Sequence, residues 1–196
     1  METVSAFRDP LLAALGPHAS QASIVAVNAP RVEIDAPLAN ALANLACQGE
    51  HIAVIIADNR LNVYAIGEAI EQQGGDRDNA LQFIFILRAE TCQQVHGCLK
   101  RLAAQPARFR ILFLLGALEP FYDDDIRYPR AEWLLNDALR YARMLAERGM
   151  LVVMTITPPP TPARNAFVEL ANAASNQVVT LETRRLLAPQ QGRLEF

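Results

Sequence analysis

Six short runs of apolar residues punctuate the sequence, at 23–27, 51–57, 83–87, 110–115, 150–156 and 177–181. They are continuously apolar rather than alternating, and a strand covered by helices on both faces reads that way. Between them lie longer stretches with helical patterning, at 37–47, 62–73, 90–104, 130–148 and 161–174. Pro37 follows Asp35 at a position where a first helical turn tolerates proline. Gly74 and Gly75 stop the second helix. Trp133, Leu134, Ala138, Leu139, Ala142 and Leu145 form the stripe of the fourth. Pro158, Pro159 and Pro160 separate the fifth strand from the last helix. Strands alternating with helices predict a mostly parallel sheet with helices on both faces. Residues 192–196 are a candidate edge strand, and residues 1–22 are expected to form an arm or edge segment ahead of a single α/β domain over 23–196.

A chain of 196 residues is long enough for one sizeable core, and with 52% hydrophobic and 20% charged residues it is expected to bury one. No apolar run is long enough to span a bilayer, and residues 1–14 lack the basic and apolar regions of a secretory signal, so a cytoplasmic location is expected. The net charge of -3 argues against a dedicated nucleic-acid binder. Lys100 is the single lysine among 18 basic residues. Cys47, Cys92 and Cys98 lack the spacing of a zinc site and read as reduced thiols. No cofactor or metal is expected.

In sheets of this kind ligands bind beyond the carboxyl ends of the strands, which directs attention to 28–37, 58–61, 88–91, 116–125 and 157–164. Asp58, at a strand end, is read as a cap for the helix that follows. Asp123, Asp124 and Asp125 are consecutive, and consecutive carboxylates rarely converge on one cation, so a solvated acidic loop is expected. Phe121, Tyr122, Tyr128 and Trp133 cluster around that loop. Aromatic residues beside charge suit either an interface or the anchoring of a long helix. Phe121, Tyr122, the three aspartates and Trp133 are therefore candidate partner-binding residues, with an arginine-rich surface as the preferred partner. Cys92 and His96 share a helix face, but no orienting acid is evident nearby. Arg101, Arg108, Arg110, Arg140, Arg143 and Arg148, interleaved with Glu132, Asp137 and Glu147, read as a mixed solvated surface.

The order and spacing of these segments over about 23–183 resemble the RecA/RadA/KaiC-like P-loop ATPases. The stretches that carry the resemblance are Ile52-Ala53-Val54-Ile55-Ile56-Ala57-Asp58-Asn59-Arg60-Leu61 and Phe83-Ile84-Phe85-Ile86-Leu87-Arg88-Ala89-Glu90-Thr91-Cys92-Gln93-Gln94, followed by Ile111 to Leu115 and Leu151 to Thr155. The resemblance implies a three-layer α/β/α fold with a phosphate loop after the first strand. Such a loop needs glycines, a lysine and a Ser or Thr. Residues 28–37 supply none of these: Asn28, Pro30, Arg31, Glu33 and Asp35 stand there, and two prolines remove N–H donors. Glu33 and Asp35 put negative charge where phosphates would lie. The strand-end acid that holds Mg²⁺ falls at Gly116, the water-activating carboxylate at Asp58 and the sensor glutamine at Thr157. The resemblance thus implies an inactive relative, not an ATPase: a non-hydrolysing structural or regulatory subunit with a protein partner or further copies of itself. The implied setting is DNA recombination or repair, and DNA contact is weak or indirect because the corresponding loops are acidic or short. The alternatives are a nucleic-acid-binding module without ATPase activity, and an enzyme reusing the crevice with Asp58, Glu90 and Asp123 to Asp125 as its acids.

Overall fold

The computed structural model describes Leu11, residues 23–105 and residues 108–181, apart from the side chains of Arg31 and Val32. The elements are β1 (Ser23–Asn28), α1 (Arg31–Cys47), β2 (Ile52–Ile56), α2 (Val63–Gln72), α3 (Arg77–Leu81), β3 (Ile84–Arg88), α4 (Cys92–Ala104), β4 (Ile111–Leu115), α5 (Tyr128–Glu147), β5 (Leu151–Ile156), α6 (Asn165–Ala174) and β6 (Gln177–Thr180). Single 3₁₀ turns at Glu119–Phe121 and Pro162–Arg164 precede α5 and α6. The six strands form one parallel sheet in the order β3-β2-β4-β5-β1-β6.

Alternation along each strand divides the core in two. Ile24 and Ala26 of β1 face α4, α5 and α6, in a cluster with Val95, Leu99, Leu134, Ala138 and Phe167. Val25 and Val27 face α1, α2 and α3, with Leu38, Leu42, Ile66, Ile70 and Ala80. Leu11 is buried in this second cluster; the rest of the expected arm, and the candidate strand at 192–196, lie outside the described residues. The strands β2, β4 and β5 are buried along their whole length, as their apolar runs predict. The third and sixth runs depart from that expectation, and in β6 Val178 is exposed. β3 is an edge strand, with Phe85 44% exposed and Ile86 also exposed.

The first helix begins earlier than the sequence predicts. Pro37 is the seventh residue of α1, not a first-turn residue. The apolar face Ile34, Leu38, Ala41, Leu42 and Leu45, all buried, carries the helix through it. An interior proline costs about 3 kcal/mol, and burying each large aliphatic side chain contributes about 1.5–3 kcal/mol. Packing therefore overrides the local penalty. No helix among the described residues is long and apolar enough to cross a membrane.

The interior proline gives a direct test. Pro37→Ala restores a helical N–H facing the Glu33 carbonyl, and should raise the unfolding free energy by about 1 kcal/mol or more in chemical denaturation.

Candidate functional site at the carboxyl end of the sheet

β1 ends at Asn28 and α1 starts at Arg31, so only Ala29 and Pro30 connect them. What the sequence offers as a degenerate phosphate loop is therefore mostly helix. Arg31, Glu33 and Asp35 lie in the first two turns of α1, with Asp35 exposed and Glu33 half-buried. The turn into the helix has no side-chain cap. Above Asn28 and Pro30 lies a cavity of about 380 Å³, walled mainly by Ile156, Pro158, Pro159, Val168 and Leu181. Among the described residues this lining offers an anion no positive charge, and proline adds no N–H donor.

A second concavity, about 500 Å³, opens over the ends of β2 and β4. Asp58, Glu90, Glu119 and Asp123 line it, together with Tyr122. Three of the acids singled out in the sequence thus line it, while Asp124 and Asp125 do not and Glu119 does. Sequence inspection passed over Glu119 because it belongs to a 3₁₀ turn whose direction the pattern does not reveal.

Local backbone geometry sets this crevice. Asp58 does not cap the next helix, contrary to expectation. Its Oδ1 accepts from the Arg60 N–H at 3.2 Å, closing a turn over Asn59, whose φ is +56°. Asn62 caps α2 instead, accepting from Ala65 N at 3.2 Å. Asp58 lies four residues before the cap position, too far along the chain to take its place. Its turned-back side chain presses on Gly116. A Cβ placed on Gly116 would lie 2.5 Å from the Asp58 Cβ, and Gly116 has φ +60°. The Gly116 N–H also donates to Thr155 Oγ1 at 2.8 Å. Position 116 is held to glycine because Asp58 fills the space that any side chain would need.

The opposite wall is tied down by its own polar groups. The Tyr122 hydroxyl donates to the Thr157 carbonyl at 2.8 Å, and Thr157 Oγ1 donates to Glu119 Oε1. Burial pushes the Tyr122 phenol well above its ordinary pKa, and the neighbouring Glu119 adds to the effect. Thr157 is therefore a structural tie in this site. Phe121 and Tyr122, expected among the partner-binding residues, are buried under the loop and cannot be docking side chains. The loop itself is clasped by Arg164, which is only 6% exposed. Its Nη2 donates to the carbonyls of Asp123 (3.1 Å) and Ile126 (2.9 Å). Its guanidinium lies over the rings of Tyr128 and Phe167, at 5.6 and 5.4 Å. Asp124 Oδ1 is 3.9 Å from it. Asp123 Oδ1 accepts from Asp125 N at 2.9 Å, so the aspartates shape their own turn. Among the described residues no group of three metal-ligating side chains converges.

Trp133 stays 54% exposed on α5, with the Arg130 guanidinium 4.8 Å from its ring centre. One turn further on, the structure supplies the acid that sequence reasoning missed for His96. His96 Nε2 donates to Asp137 Oδ2 at 2.6 Å, and Arg140 grips Asp137 Oδ1 through Nε and Nη2 at 2.8 and 2.6 Å. Asp137 lies 41 positions from His96, on the facing helix, and no local spacing rule reaches that far. Cys92 is turned away: it is buried, its Sγ donates to Gln93 Oε1, and burial pushes its thiol up. The Cys92–His96 side chains are not a nucleophile pair.

Two predictions follow from this geometry. Gly116→Ala should destabilise the fold by about 1–3 kcal/mol or more, read by denaturant titration, because it strains a left-handed residue and drives its methyl into Asp58. The hydrogen bonds from His96 and then Arg140 hold the Asp137 carboxyl below its usual range. A carboxyl depressed in the folded state contributes fully above its unfolded value of about 3.9, and that contribution is lost as pH falls through the folded value. The melting-temperature difference between wild type and Asp137→Asn should thus be present at about pH 5 and should close as pH falls below about 4.

Neither the models of known protein families nor the curated proteins include a match to this chain.

Proposed function

We propose that this chain is a non-hydrolysing relative of the RecA-like ATPases that acts through protein contacts as a structural or regulatory subunit. The observation that carries the reading is the connection of β1 to α1 through Ala29 and Pro30 alone. A loop that wraps phosphates needs about six residues from its first glycine to its last, and donors throughout. Two residues, one of them proline, leave no room for it. Gly116, shut by Asp58, leaves no place for a Mg²⁺-holding acid on β4. The crevice that remains is lined by four carboxylates, which repel a triphosphate. The layered parallel sheet is compatible with the resemblance, and a role in DNA recombination or repair is the setting that resemblance implies.

Thermal unfolding with and without millimolar ATP and Mg²⁺ tests the reading. A ligand that binds only the folded state raises the midpoint once its concentration exceeds its dissociation constant. The expected outcome is no shift. A clear upward shift, lost in Asp58→Ala, would overturn the proposal and make the acidic crevice a nucleotide site.

A further inference from the structure

β3 and β6 are the two edge strands among the described residues. β3 has β2 as its only neighbour among the described strands. The Phe83 carbonyl accepts from Ile52 N, and Ala89 N donates to the Ile56 carbonyl, at 2.8 and 2.9 Å. In a parallel ladder the residues alternate in direction, so Phe83, Phe85, Leu87 and Ala89 bond inward. Ile84, Ile86 and Arg88 therefore turn their N–H and C=O groups outward. Edges of this kind are normally blunted by lysine, proline or an inward charge. Here Ile84-Phe85-Ile86-Leu87 carries none of these, and the exposed Arg88 at the strand's end is its single charge.

Beside this edge, between β3 and α4, lies a groove of about 310 Å³. Phe85, Leu87, Leu102 and Phe109 form its apolar walls, and Arg101 and Arg108 line it as well. Phe85 and Phe109 stack at 5.5 Å, and the Arg108 guanidinium lies over both rings at 5.9 and 5.6 Å. Arg101 reaches only the Cys98 sulfur, at 3.4 Å. Neither arginine has a carboxylate partner among the described residues. Of the arginines read as part of a mixed solvated surface, Arg110 and Arg140 pair with Glu50 and Asp137, whereas Arg101 and Arg108 line this groove.

We infer that this edge binds an extended, acidic segment of a partner protein, which adds as a strand to β3, places an apolar side chain in the groove and sets a carboxylate between Arg101 and Arg108. This rests on the reading of the chain as a subunit working through protein contacts, and it names the chemistry of the partner. Backbone pairing supplies affinity in such additions, and the groove supplies selectivity. Guanidinium–carboxylate pairing beside an apolar wall suits an acidic segment. A nucleic acid fits less well, because Phe85 and Phe109 already stack on each other beside Arg108, which leaves fewer ring faces for bases.

The test is a fluorescence-anisotropy titration of the full chain with a short labelled peptide repeating Glu-Glu-Val-Val. That repeat puts an acid and an apolar residue on each face of an extended strand. The expected result is saturable binding that weakens about tenfold or more in Arg101→Glu/Arg108→Glu, and also in Arg101→Ala/Arg108→Ala. Ile86→Pro, which removes an outward N–H and leaves the β2 ladder intact, should weaken it as well. Circular dichroism confirms that each variant is folded, since all three positions are exposed. Absence of peptide binding, or equal binding by the variants, overturns the inference. So does tighter arginine-dependent binding of a labelled oligothymidine, or a self-association in sedimentation that the double variants abolish, since those make the occupant a nucleic acid or a second copy. The ATP melt reads the carboxyl end of the sheet and this titration reads its edge, so either can fail while the other stands.

Discussion

Every interior strand of this sheet is covered by helices on both faces, and the rest of the molecule follows from that. A strand with no wet face admits almost no polar side chain. Of the residues in β2, β4 and β5, only Thr155 carries a polar group, and its hydroxyl accepts the Gly116 N–H. Chemistry is thereby expelled to the ends of the strands and to the edges of the sheet. The same requirement explains why α1 tolerates Pro37. Its apolar face has to close one side of the sheet, and burying Leu38, Leu42 and Leu45 outweighs one missing backbone bond.

At the carboxyl end, polar groups are used mainly to hold loops in place. Thr155 fixes Gly116, Tyr122 fixes Thr157, and the buried Arg164 fixes the β4–α5 loop through two carbonyls. Each tie offsets the cost of leaving a donor or a charge in a dry place. What is left facing the crevice is carboxylate. Arginines, by contrast, line the groove at the β3 edge. A negative crevice and a positive groove thus lie at different places on the same sheet, each with a field that reaches roughly 10 Å in physiological salt.

The strand positions could be read from the sequence because buried parallel strands are apolar without a break. The place of β3 could not. The run Phe83 to Leu87 is as apolar as the others, and strand order, which makes it an edge, depends on crossovers that no local pattern encodes. Asp58 was visible as a strand-end acid, but its role against Gly116 was not, since that contact joins residues 58 positions apart. His96 looked incomplete for the same reason: Asp137 sits on another helix. Phe121 and Tyr122 were left open between two readings. Aromatic residues beside three aspartates suited either an interface or the anchoring of a helix, and Phe121 and Tyr122 are on the buried side of the loop.

The sequence by itself determined the layered α/β architecture, because hydrophobic periodicity answers directly to whether a segment is covered on one face or two. It also determined that no glycine, lysine or hydroxyl stands at residues 28–37, and so that no phosphate loop forms there. Tertiary structure alone decided which acids share a crevice, which arginine is buried as a clasp, and which strand is left open. Those outcomes depend on contacts between residues far apart in the chain, whose geometry is set only when the sheet orders its strands and the helices pack across them.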